Sequence, residues 1–192
     1  MNKMKEQHYD LLTISLHWVM ALGVLFLFCL GLYMVELTYY DSWYKGSTVL
    51  HKSIGLSLFV LLVVLILWRF KCLKNAQNNG LRQLDKTLER RLANAMHLLL
   101  YILIALICLT GYLIATAGQR DVFFFSIFDL PPLPFVLENQ EDVAGEWHYY
   151  LSYSLIIMVV CHALAALKHH FIDKDNVLKN MLKPYKIKRG ED

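Results

Sequence analysis

The chain has 192 residues, 57% of them hydrophobic and 18% charged, with a formal net charge of +3. That is too apolar for a soluble domain of this length, and the basic residues flank four apolar segments, so no basic surface is left to imply a nucleic-acid partner. Its four cysteines form neither CxxC nor CxxCH, which excludes a thiolate-held iron–sulfur or zinc cluster and a covalently attached c-type haem.

The apolar segments run over about 14–35, 50–70, 92–117 and 147–167, each near the roughly 20 residues a spanning helix needs. Lys3 and Lys5 precede the first, as in a signal peptide. A signal's apolar run is only about 7–15 residues and ends at a small-residue cleavage site. This segment is longer and lacks such a site, so a retained helix is expected. His17 lies near its start. Tyr39, Tyr40, Trp43 and Tyr44 follow and suit a membrane–water interface.

The second segment opens on His51-Lys52 and closes on Trp68-Arg69, and a polar stretch of about 71–91 follows, expected to be helical towards its end. The third carries His97 about five residues in. Residues 118–146 then form a long connection with Phe123, Phe124, Phe125 and Phe128, three prolines (Pro131, Pro132 and Pro134) and the acids Glu138, Glu141, Asp142 and Glu146. Its phenylalanines are expected in the interface or folded over the bundle. The fourth segment carries His148 and His162 and ends on Lys168-His169-His170.

Charge sets the orientation. Sixteen of the nineteen Lys and Arg residues lie before the first helix, between the second and third, or after the fourth; the opposite side has Lys45, Lys52 and Arg120. The positive-inside rule puts both termini in the cytoplasm of a bacterial inner membrane. The expectation is an all-α fold, a transmembrane four-helix bundle formed by one domain over 1–192.

Ionisable residues within spans are functional candidates by default. His148 and His162 are fourteen residues apart, which at about 1.5 Å per residue places them about 21 Å apart along one helix and near one face. His51 matches the depth of His148 on the outer side, and His17 matches that of His162 on the inner side. Two opposed imidazole pairs suit two haems, because neutral imidazole is a good axial ligand for haem iron. A lone histidine near a helix end is more often an interfacial polar residue; the matched pairing outweighs that. His97 is left over on the inner side, open to a haem propionate, a quinone, or competition with His17 for iron. Gly23, Gly31, Gly55 and Gly111 allow close approach, either of helices or of a flat macrocycle.

With these residues in view, the chain resembles the bacterial cytochrome b561 family of four-helix di-haem membrane proteins. The resemblance rests on Ser15-Leu16-His17-Trp18, His51-Lys52-Ser53-Ile54-Gly55, Trp68-Arg69, His97 and the run from Cys161-His162 to His170-Phe171, with the tail on to Met181. It implies two non-covalent b haems on His17, His51, His148 and His162, and electron exchange with a membrane quinone such as ubiquinone. One branch of the family oxidises superoxide outside the cytoplasm and reduces ubiquinone. Steering an anion needs a positive surface, and the outer face here is acidic overall; Lys52, beside His51, is the local cation. Arg69, His97, Lys168 and His169 are the inner candidates for proton delivery, quinone or propionates. The expected partners are lipid, quinone and an extracytoplasmic donor, either superoxide or a protein. The rival readings are a cytochrome anchor subunit serving a larger oxidoreductase, whose acidic outer loop would dock that partner, and a haem-free or haem-storage membrane protein.

Overall fold

The computed structural model describes residues 10–78, 88–125, 127–132 and 138–182. Lys3, Lys5 and Pro134, singled out above, lie outside the described residues. Five helices are described: α1 (Leu11–Glu36), α2 (Tyr44–Asn78), α3 (Leu88–Ala115), α4 (Gln140–Phe171) and the short α5 (Val177–Leu182). The first four each contain a stretch long and apolar enough to span a membrane.

These four helices reach past the apolar segments. At 26 to 35 residues each, they are about 39 to 53 Å long, against a hydrocarbon core of about 30 Å. Polar turns continue the hydrogen-bonded ladder into the interface, where hydropathy no longer marks them. Glu141, Asp142 and Glu146, expected in a connection, therefore lie on α4, and Tyr44 opens α2. Asn139 enters α4 at φ 53°, a left-handed conformation that Asn tolerates. Glu141 and Asp142 in the first turn of α4, and Lys168, His169 and His170 in its last, complement the helix dipole. Before α1, the Asp10 carboxylate accepts a hydrogen bond from the Thr13 hydroxyl. After it, Asp41 accepts from the Thr38 amide and hydroxyl, both at 2.7 Å, and these bonds hold its carboxyl below the usual range.

The centre of the bundle is filled by Met20, Val24, Leu58, Leu62, Leu103, Ile104 and Leu155. Large side chains such as Phe26, Leu67, Leu98, Ile157 and Leu164 face outward. An outward apolar surface suits lipid, which does not penalise it as water does. Helix α3 packs closely on α4, and α1 and α3 both pack on α2, while α1 meets α4 through Phe28 with Tyr153 and His17 with His162. At Gly23 the backbone of α1 comes so near Leu58 that a Cβ would sit 2.7 Å from one of its methyl carbons.

The connection after α3 turns through two left-handed residues, Gly118 and Gln119. It then forms a two-stranded antiparallel hairpin, β1 (Val122–Phe124) with β2 (Phe128–Leu130), which the sequence reading did not anticipate. The hairpin folds over the bundle. Ser53, almost fully buried on α2, accepts a hydrogen bond from the Phe125 amide at 2.9 Å and reaches the Phe123 carbonyl at 3.5 Å. Phe125 stands at φ 46°, a strained conformation for a bulky residue. At the opposite end, Trp68 Nε1 donates to Thr13 Oγ1 at 3.2 Å, and Trp18 Nε1 donates to the Met181 carbonyl at 2.9 Å, tying α5 beneath α1.

Candidate functional site

Four long helices that alternate in direction bring the start of α2 beside the start of α4, and the start of α1 beside the end of α4. The rings of His51 and His148 are accordingly 6.2 Å apart between centroids at one end of the bundle. Those of His17 and His162 are 6.3 Å apart at the opposite end, where α1 begins and α4 finishes. The fold thus brings each of these two pairs together, and it also brings His97 close to His162.

Each outer ring is backed by a glycine. A Cβ on Gly31 of α1 would lie 3.5 Å from His51 Cε1, and one on Gly111 of α3 would lie 3.1 Å from His148 Cε1. His148 Nδ1 is 3.1 Å from the Ile107 carbonyl and 3.2 Å from Thr110 Oγ1. A carbonyl only accepts, so Nδ1 carries the proton and Nε2 is left as the electron-pair donor. Such a second partner orients an imidazole and fixes its tautomer. His51 Nδ1 is buried with no hydrogen-bond partner among the described residues, and a buried polar atom left bare is costly.

The inner end is more crowded. The His97 ring lies 5.1 Å from that of His162 and 6.4 Å from that of Tyr101. Its Nδ1 is 2.7 Å from the Ala93 carbonyl, one turn back on α3, so it too presents Nε2. Arg69 of α2 donates to Tyr101 Oη and to Asn94 Oδ1, both at 3.4 Å. Arg69, Asn94, His97 and Tyr101 line a cleft of about 330 Å³ between α2 and α3. Sequence reasoning named Arg69 and His97 but missed Asn94 and Tyr101. The available signal was their spacing from His97, three before and four after, which shares one helix face.

Lys168 and His169 belong to a different cluster. Lys168 Nζ and His169 Nδ1 each approach Asp173 at 2.8 Å, and His169 also lies 3.5 Å from Asp175. The hydrogen bond from Lys168 is the main reason the Asp173 carboxyl is held below its usual range, and His169 adds to it. His170 Nδ1 is buried without a hydrogen-bond partner among the described residues. At the outer end Lys52 is half-buried beside His51, and the charges acting on it are those of Arg120 and Glu141. The cysteines are free, and no group of three or more His, Cys, Asp or Glu arranged to hold a metal ion occurs among the described residues.

Comparison with known proteins agrees over nearly the whole length. Residues 8–184 match the family described as prokaryotic cytochrome b561. The chain is 41% identical over 176 residues to "Cytochrome b561 homolog 2" of Escherichia coli K12, covering 92% of each chain. It is 25% identical over 182 residues to "Probable superoxide oxidase CybB" of Yersinia pestis, covering 92% of this chain and 97% of that one. "Cytochrome b561 homolog 1" of Escherichia coli K12 matches at 33% over 97 residues, about half of each chain.

Proposed function

This chain belongs to the prokaryotic cytochrome b561 family of b-haem membrane electron-transfer proteins, and from that premise we propose that it holds two b haems and passes electrons to membrane quinone. On this reading His51 and His148 would hold the outer haem, and His17 and His162 the inner one.

The observation that carries this reading is the pair of ring separations, 6.2 and 6.3 Å. An imidazole nitrogen sits about 2 Å from a transition metal and about 1 Å from its own ring centre, so two rings facing one iron stand about 6 Å apart. His97 and His162, at 5.1 Å, are too close to do the same. The bare Nδ1 of His51 and the glycines behind both outer rings also fit a flat group seated between those helices. When bound, a b haem supplies one-electron exchange between ferric and ferrous iron.

The protein's own residues do the rest. The bond from His148 Nδ1 to the Ile107 carbonyl holds that ring in one tautomer. The buried helices exclude water from both pairs. Arg69, His97, Lys168 and His169 serve the inner side, where proton uptake accompanies quinone reduction. The excess of Lys and Arg beside the termini supports a cytoplasmic location for that side in a bacterial inner membrane.

For the donor, the likeness to a protein called a probable superoxide oxidase favours superoxide. Two superoxide anions each give up one electron and become oxygen; one quinone takes both electrons and two protons and becomes quinol. Lys52, with Arg120, supplies the local positive charge on an otherwise acidic face. The test is a reduced-minus-oxidised spectrum of the purified protein, followed by quinone reduction driven by superoxide. Low-spin b-haem bands and quinol formation are expected. A large soluble oxidoreductase that co-purifies, with no response to superoxide, would instead make this chain an anchor subunit.

A further inference from the structure

The cleft between α2 and α3 at the terminal end has two unlike walls. Arg69, Asn94, His97 and Tyr101 form a polar floor within otherwise apolar helices. Phe70, Leu98 and Ile102 border it and are exposed on the outer surface of the bundle, which in a membrane means exposed to lipid. An opening onto lipid admits a lipid-soluble molecule and keeps out a water-soluble one. Its volume, about 330 Å³, is at the small end of ligand sites. It suits a single substituted ring with its tail left in the bilayer.

The hydrogen-bonding groups match one chemical class. Tyr101 Oη accepts from Arg69, so its own proton remains free to donate. Arg69 has five N–H donors, and its bonds to Tyr101 and Asn94 leave others to spare. A ring carbonyl therefore meets two donors. His97 has committed Nδ1–H to the Ala93 carbonyl, so its Nε2 is an acceptor, suited to a ring hydroxyl. Donors for a carbonyl and an acceptor for a hydroxyl are what the oxidised and reduced forms of a quinone need. The same His97 ring touches that of His162 at 5.1 Å, so the floor adjoins the inner histidine pair.

We propose that the α2–α3 cleft is the quinone headgroup site, with Arg69 and Tyr101 binding a ring carbonyl and His97 facing the ring hydroxyl of the quinol. The proposal rests on the quinone-linked reading above and fixes its place. It separates the quinone from Lys168 and His169, which are held by Asp173.

The test uses the full-length protein in lipid nanodiscs with a short-tailed azido-benzoquinone, activated by light and located by peptide mass spectrometry. Label is expected on 66–70 and 94–105, suppressed by excess unlabelled short-tailed ubiquinone. Ala105→Phe, which fills the cleft, should remove it. Tyr101→Phe, a smaller change in case the first variant fails to fold, should weaken quinone binding about fivefold, the loss of one hydrogen bond. Haem content should stay unchanged in both. Label at the end of α4, with quinone turnover intact, would overturn the cleft assignment and leave the functional reading standing. Label unaffected by both variants while the inner haem is lost would make the cleft a haem pocket and overturn the proposal. Absence of label together with absence of quinone turnover would remove both.

Discussion

The ring of His97 lies 5.1 Å from that of His162, nearer than the ring of His17 at 6.3 Å. Proximity alone would choose His97 as the partner of His162, but a shared iron needs about 6 Å between ring centres. His17→Ala should therefore leave one haem per chain, and His97→Ala should leave two. Pyridine haemochrome assay of both variants decides this. Loss of a haem in His97→Ala with both kept in His17→Ala would reverse the inner pair.

Gly111 and Gly31 differ in the room they leave. A Cβ at Gly111 would press on His148 Cε1 at 3.1 Å, whereas one at Gly31 would meet His51 Cε1 at an ordinary 3.5 Å. Gly111→Ala should cost about 1–3 kcal/mol, as overpacking does, and should shift the outer haem's spectrum; Gly31→Ala should do neither. The readouts are thermal unfolding and the low-temperature α-band. Equal effects of the two substitutions would contradict the asymmetry.

The Asp173 cluster gives a pH dependence with a definite sign. Its carboxyl is held below the ordinary range, chiefly by Lys168. Its contribution is therefore fully present above the unfolded carboxylate pKa, about 4, and is lost as pH falls through the lower folded value. The group is exposed, so the effect stays local. Hydrogen exchange at 168–175, corrected for its intrinsic pH dependence, should be slow near pH 7 and faster only well below pH 4. Asp173→Asn should be fast throughout. Exchange in Asp173→Asn as slow as in the wild type would take this carboxylate out of the local order.

Lys52 should govern any superoxide reaction. It is the cation beside His51, and the charges acting on it are those of Arg120 and Glu141. Charges are screened over about 8 Å at physiological ionic strength, so a contact-range cation keeps part of its effect in salt. The second-order rate with superoxide should fall as salt rises and fall further in Lys52→Gln. A fast rate indifferent to Lys52→Gln would take this residue out of the mechanism.

The bundle and its histidine pairs were legible because membrane helices keep a fixed rise per residue and must satisfy their backbone internally. Spacing along His148 and His162 thus becomes depth, and depth selects His51 and His17. Other features were hidden. The helix ends ran past the apolar segments because hydrogen bonding continues where hydropathy stops, so Glu141 and Asp142 proved helical. The hairpin over α2 depends on a contact between Ser53 and Phe125, 72 positions apart, with no local pattern to mark it. Asn94 and Tyr101 gain meaning only once Arg69 of the neighbouring helix reaches them.

The most direct test of the two-site account is the ratio of haem b to polypeptide in the purified protein, from pyridine haemochrome absorbance and quantitative amino-acid analysis. Two opposed imidazole pairs at 6.2 and 6.3 Å call for two haems per chain. A ratio of one would leave one pair without its metal, and a ratio of zero would contradict the account altogether.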